Sequence, residues 1–192
     1  MKTFGLKGEI RDDFGKKAAR AYRSESLIPC VVYGGHNEEN LNFVVKSGDV
    51  RNLIYTPEVF LVDLDLGKKK ITAVVKDVQF HPVKDTILHI DFLHVFENVP
   101  VVIEIPVRLE GLAAGVRAGG KLSLDIRKLK VKALPAKLPE ELVVNVEKLE
   151  LGKSIQVGQL SFEDLEILNA KNAVVCRVQL TRAARGAAAK AE

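Results

Sequence analysis

At 192 residues, with 47% hydrophobic and 28% charged side chains, the chain can bury one full core or two smaller ones, and its composition excludes a disordered protein. Its net charge of +4, from 29 basic and 25 acidic side chains, permits a nucleic-acid partner without establishing one. No apolar run reaches membrane-spanning length and the N-terminus lacks the apolar core of a secretory signal, so a cytoplasmic protein is the default expectation.

Residues 3–10 read as a short strand and residues 12–15 as a turn. Residues 11–23 hold five basic side chains (Arg11, Lys16, Lys17, Arg20 and Arg23) against Asp12 and Asp13. A helix over 16–24 sets Lys16, Arg20 and Arg23 on one face by their spacing of four and three, although so short a helix needs tertiary support. Charge alone leaves two readings open, a solvated helix or a set of cations presented to a polyanion. After a turn at Pro29, residues 28–33 form a buried or half-buried strand that leads into Gly34 and Gly35. A polar loop at 34–40 and a strand at 41–45 follow. Within 47–55 the pattern suits a short helix capped by Ser47, with Val50, Leu53 and Ile54 inward.

Residues 59–66 and 71–80 are two strands of a hairpin whose Gly67–Lys70 tip reads as a solvated turn. His81 and Pro82 end the second strand, and residues 86–96 supply another. There, period-two alternation sets Leu88, Ile90 and Phe92 opposite His89, Asp91 and Leu93. His89 and Asp91 therefore share a face. The texture changes near 96–100, where a domain boundary is expected between residues 1–96 and 97–182. Residues 101–109 alternate, with Pro106 on the outward side, which predicts an edge strand or a bulge. Residues 111–122 read as a flexible Gly/Ala loop without phosphate-loop spacing. In 122–134, Lys128, Lys130 and Lys132 oppose Leu129, Val131 and Ala133. That is an exposed strand face, with a second nucleic-acid surface as the alternative. Pro135 and Pro139 bracket a turn, residues 142–149 are a strand, and 151–160 carry a short β segment. Ser161 with Asp164 predicts a capped helical turn, and 173–180 closes the second domain. The low-complexity end at 183–192 is expected to be a flexible tail. Together these elements predict a mainly β protein with two mostly antiparallel domains, each a barrel or a sandwich.

Catalytic signatures are missing from the sequence. Cys30 and Cys176 lie far apart in apolar runs and read as small core residues in a reducing compartment. His36, His81, His89 and His94 have no zinc-like spacing, and Asp63 and Asp65 read as exposed strand carboxylates. His89 with Asp91 could be an acid–base pair, but a hydrogen-bonding or RNA-contacting role fits as well. No enzyme activity, metal or cofactor is expected.

Several motifs do carry a resemblance. They are R-x-x-x-G-K at residues 11–16, A-x-R-x-x-R at 18–23, I-P-x-V-V-Y-G-G at 28–35, K-D-V-Q-x-H-P at 76–82 and L-H-I-D-F at 88–92. In the second half I-P-V-R-L-E-G at 105–111 and the stretch from 134 to 160 match too. In this order, over residues 4–180, the chain resembles the bacterial large-subunit ribosomal protein family numbered twenty-five, in its long two-domain form, also called the general stress protein CTC type. The resemblance implies a small closed β barrel with short helices, binding the loop E region of 5S ribosomal RNA in the central protuberance, and a β-rich second domain. It also implies a cytoplasmic, ribosome-associated protein, monomeric within the ribosome, with other large-subunit components as neighbours and no membrane.

By motif, the family's RNA-contacting positions fall on Arg11, Lys16, Arg20, Arg23, Tyr33, Gln79, His89 and Asp91, and Lys17 adds a cation. The cations would neutralise phosphates, while the polar strand residues would read hydroxyls or base edges in the shallow minor groove of A-form RNA. Two positions depart from the family pattern: Ala19 stands where a serine is usual, and Phe80 where an arginine is common. The alternative function is a stress-related, protein-binding adaptor using sheet edges of the second domain, motivated by the edge-like strand at 101–109.

Overall fold

The computed structural model describes residues 2–34, 40–67 and 69–181. Most of the polar loop expected at 34–40, Lys68 of the hairpin tip and the tail expected at 183–192 lie outside the described residues. The chain forms two compact units, the first running to Val101 and the second beginning at Val102, with Leu134–Ala136 grouped with the first.

The first unit is built on one seven-stranded sheet. Its strands are β1 (Lys2–Lys7), β2 (Glu9–Ile10), β3 (Leu27–Tyr33), β4 (Leu41–Lys46), β5 (Phe60–Asp65), β6 (Lys70–Phe80) and β7 (Ile87–His94), in the order β1-β5-β6-β7-β3-β4-β2. β1 and β2 stand at opposite ends of that order yet are one run of chain interrupted only at Gly8. One bent strand therefore pairs with β5 by its first half and with β4 by its second, and the sheet closes into a barrel. Gly8 makes the bend possible, because a Cβ there would come within 2.7 Å of Phe43 Cδ2 and 3.0 Å of Leu66 Cδ2.

Alternation fills the barrel. Leu6, Ile28, Cys30, Val32, Phe43, Val45, Val62, Leu64, Ile71, Ala73, Ile90 and Phe92 all point into one core, joined by Val50 and Leu53. Phe43 and Phe92 meet there at 5.7 Å between ring centroids. The helix α2 (Arg51–Ile54) is shorter than expected, and Val50 rather than Ser47 stands at its cap, without a side-chain bond. Ser47 instead donates its backbone N–H to Ser26 O, which commits it to the preceding turn. The turn expected at Pro29 is absent. β3 runs through the proline, pairing Pro29 with Val44 on β4, while the parallel register with β7 starts only at Cys30 opposite Ile90.

The second unit carries two sheets. The larger contains β8 (Val101–Glu110), β10 (Lys128–Ala133), β11 (Leu142–Asn145) and β13 (Glu166–Ile167), ordered β11-β8-β10-β13. The smaller contains β9 (Lys121–Leu124), β12 (Ser154–Gln156) and β14 (Val174–Gln179), ordered β12-β14-β9. The expected edge strand at 101–109 is thus internal, flanked by β11 and β10. Pro106 is accommodated because the parallel register with β11 begins one residue later, at Val107 opposite Leu142.

As expected, most described pairings are antiparallel; β1 with β5, β3 with β7 and β8 with β11 are parallel. Two other expectations change. The stretch at 111–122 contains a helical turn, α3 (Ala114–Arg117), pinned by the Gly115 N–H to Leu149 O at 2.8 Å, where a Cβ on Gly115 would collide with the Leu151 backbone. Ser161 caps no helix. Asp164 takes a positive φ of 60° in a turn, and the following Glu166–Ile167 backbone is taken up by pairing with β10.

Candidate functional site

The basic segment folds as the helix α1 (Lys16–Ser24), opened by Gly15 at a φ of 94° and without a side-chain cap. Its inner stripe is thin. Ala18, Ala19 and Tyr22 are half-buried, and no residue of the helix is fully buried. Lys16, Lys17 and Arg20 are exposed, and none of them has an ion pair among the described residues. Arg23 differs: its Nε and Nη2 donate to Leu88 O at 3.1 and 3.0 Å, across 65 residues of sequence. Arg11, just after β2, places its guanidinium over the Phe14 ring at 5.6 Å, and its Nε is buried without an acceptor among the described residues.

The polar residues assemble on the outer face of β3, β7 and β6. His89 and Asp91, two apart on β7, meet through Nδ1 and Oδ1 at 2.6 Å, with side chains 22% and 27% exposed. Asp91 can only accept, so Nδ1 carries the proton and Nε2 is the ring nitrogen left facing outward chemistry. Gln79 on β6 stands directly opposite His89, and Asp77 directly opposite Asp91. Tyr33 on β3 completes the group. Burial pushes its phenol above the ordinary tyrosine range, and the nearby negative charges of Asp91 and Asp77 push it further the same way. The hydroxyl therefore stays a donor at neutral pH.

Of the residues singled out from the sequence, His89, Asp91, Gln79 and Tyr33 come together on this face. Arg23 is bound to it through Leu88, whereas Lys16, Lys17 and Arg20 project from α1 and Arg11 lies by β2. Asp77 was missed. It lies two residues before Gln79, so the same period-two rule that paired His89 with Asp91 places it on the same outward face. Phe14, 63% exposed beneath Arg11, was missed as well, and nothing in its immediate sequence marks it. Ala19 sits on the half-buried side of α1, and Phe80 packs edge-on to Tyr55 at 6.3 Å.

The other charged features are internally satisfied. Asp63 accepts from Thr72 Oγ1 at 3.1 Å, and Asp65 accepts from the Gly67 N–H at 3.0 Å. Of the three lysines on the β10 face, Lys130 and Lys132 lie 3.8 and 3.9 Å from Glu104 and Glu166. Among the described residues no group of three or more His, Cys, Asp or Glu side chains could hold a metal ion, and no helix is long and apolar enough to cross a membrane. Cys30 and Cys176 are buried, and burial raises both thiols above their ordinary range.

Comparison with known proteins decides the relationship. The model of the ribosomal L25p family matches residues 6–92, and that of the ribosomal protein TL5 C-terminal domain matches residues 100–182. A large ribosomal subunit protein bL25 of Azobacteroides pseudotrichonymphae is 60% identical over 185 residues, 96% of this chain and 97% of the relative. That of Porphyromonas gingivalis is 60% identical over 191 residues, 99% of each chain. The chain belongs to the ribosomal L25p family. Its L25p match ends at Phe92, so it takes in α1 and all the polar residues gathered on the β3–β7–β6 face, while the TL5 match covers β8 to β14.

Proposed function

We propose that the protein is a non-catalytic component of the large ribosomal subunit that binds the loop E region of 5S ribosomal RNA in the central protuberance. The observation that carries this reading is the pairing of two unlike surfaces on one barrel: free cations on α1 beside a set of hydrogen-bonding groups, Tyr33, Gln79, His89 and Asp91, on the adjoining sheet face. Lys16, Lys17, Arg20 and Arg11 supply charge for phosphates, which gives affinity and orientation. His89 Nε2, the Gln79 amide and the Tyr33 hydroxyl reach hydroxyls and base edges in a wide, shallow minor groove. Asp91 would be repelled by phosphates, so its place is against a base amino group or hydroxyl, or behind His89 as its orienting partner.

In the second unit, Lys130 and Lys132 of β10 already lie close to glutamates. This reading puts the RNA site in the first unit, where the gathered polar residues and the L25p match lie, and the protein on cytoplasmic ribosomes. Binding of the full chain to 5S RNA, compared with the same RNA carrying an altered loop E, tests the assignment. Stoichiometric, salt-dependent binding that prefers the intact loop is expected. Equal affinity for both RNAs would sink it.

A further inference from the structure

Among the five basic residues of the 11–23 segment, Arg23 is the one whose guanidinium donates hydrogen bonds to another element among the described residues. Leu88, its acceptor, is the odd residue of a bulge. The β6–β7 register steps from Gln79 opposite His89 to Phe80 opposite Ile87, leaving Leu88 without a partner on β6, and the register with β3 begins only at Ile90. The bulge leaves Leu88 without a register partner in either ladder, so its carbonyl is placed to take a donor from outside the sheet. Arg23 supplies two, from a helix that has neither a fully buried side chain nor a side-chain cap. A nine-residue helix of that kind is not stable without tertiary anchoring.

We infer that Arg23 is a positioning residue: it latches the basic helix to the strand that carries His89 and Asp91, and its own charge is not used to neutralise a phosphate. The latch fixes the distance between two halves of one site, the cations of α1 and the readers of β7. His89 follows Leu88 directly, so a shift of the helix or of the bulge moves both halves relative to each other. This inference rests on the RNA-binding reading above for its functional meaning, while the latch itself can be tested without RNA.

The two roles separate by salt dependence, because each phosphate contact contributes about 0.7–0.9 to the slope of log affinity against log salt. Arg20→Ala should lower the slope by about that amount. Arg23→Ala and Arg23→Lys should both weaken binding by about tenfold or more, the scale of a lost charge-assisted hydrogen bond, with the wild-type slope retained. Arg23→Lys is the telling variant: it keeps the charge but loses the two-pronged donor, so it should fail to rescue. In the free full-length protein, both Arg23 variants should speed amide hydrogen exchange across α1 while the barrel strands keep their protection. A slope reduced in Arg23→Ala as in Arg20→Ala, or full rescue by Arg23→Lys, would overturn the inference. Loss of 5S RNA binding by the wild type would overturn the functional reading alone, and hydrogen exchange in α1 would still decide the latch.

Discussion

Asp77 and Asp91 face each other across β6 and β7, two carboxylates in register on one outward face of the barrel. Like charges directly opposite in an antiparallel pair are destabilising, and a β-bulge between Val75 and Asp77 is what brings this pair into register. The fold carries a repulsion that it could have avoided, which points to a ligand-facing purpose for both groups. Asp77→Asn should therefore stabilise the free protein by about 0.2–1 kcal/mol and at the same time weaken binding to 5S RNA. Thermal unfolding at low salt and an RNA titration on the same variant check the two halves. A variant that gains stability without losing affinity would remove Asp77 from the site.

Tyr33 reports on the same pair. Its phenol is raised first by burial and then by the charges of Asp91 and Asp77, so the folded state holds it protonated above the range of a free tyrosine. The sign follows: the stability this neutral form contributes is present at neutral pH and is lost as pH rises through the raised value. Alkaline titration of phenolate absorbance should show a late-titrating group that disappears in Tyr33→Phe. In Asp91→Asn that group should move only part of the way down, because burial is the larger cause.

The barrel's closure depends on Gly8. A methyl group there would lie 2.7 Å from Phe43 Cδ2 and 3.3 Å from Val44 O, so Gly8→Ala should cost about 1–3 kcal/mol through forced repacking. Urea unfolding monitored by circular dichroism measures it. Gly5, with open space around its Cβ position, is the matched control and should tolerate alanine far better.

Cys30 and Cys176 should be silent toward thiol reagents at neutral pH in the folded protein. Burial keeps both thiols protonated, and the thiolate is the reactive form. Both should become reactive on unfolding in denaturant. Labelling of either one in the native state would mean that its strand opens locally.

Period-two alternation was enough to place His89 with Asp91, to set the inward and outward sides of β8 and β10, and to locate most strands. It could not show that β1 and β2 join the two ends of a sheet, because closure rests on the pairing of β1 with β5, from Lys2 opposite Phe60 to Lys7 opposite Asp65, whose register no local pattern encodes. The two prolines failed for a shared reason. Pro29 and Pro106 each sit one residue before a parallel partner's register begins, so the missing N–H interrupts no pairing there and the strand runs on. Ser47 and Ser161 carried helix-cap chemistry that tertiary pairing overrode, the first through its bond to Ser26 O and the second through the short strand that follows it. Arg23 was legible as a cation but not as a latch. Its partner is a backbone carbonyl freed by a bulge, and neither the bulge nor the 65-residue reach is written in the basic segment.

Selectivity is expected to reside in the His89–Asp91 pair, and it can be separated from affinity. With Nδ1 and Oδ1 at 2.6 Å, Asp91 fixes both the tautomer and the tilt of the imidazole, so Nε2 is presented in one orientation. Asp91→Ala frees the ring and removes an acceptor, while every cation of α1 is retained. Its loss should therefore be large on 5S RNA with an intact loop E and small on RNA with that loop altered, with the salt slope unchanged on both. His89→Ala should show the same preference. If the two act as one unit, the double variant should lose little more than either single one, a coupling of about 0.5–3 kcal/mol. Additive losses, or equal losses on the two RNAs, would mean that the pair supports the strand and reads nothing.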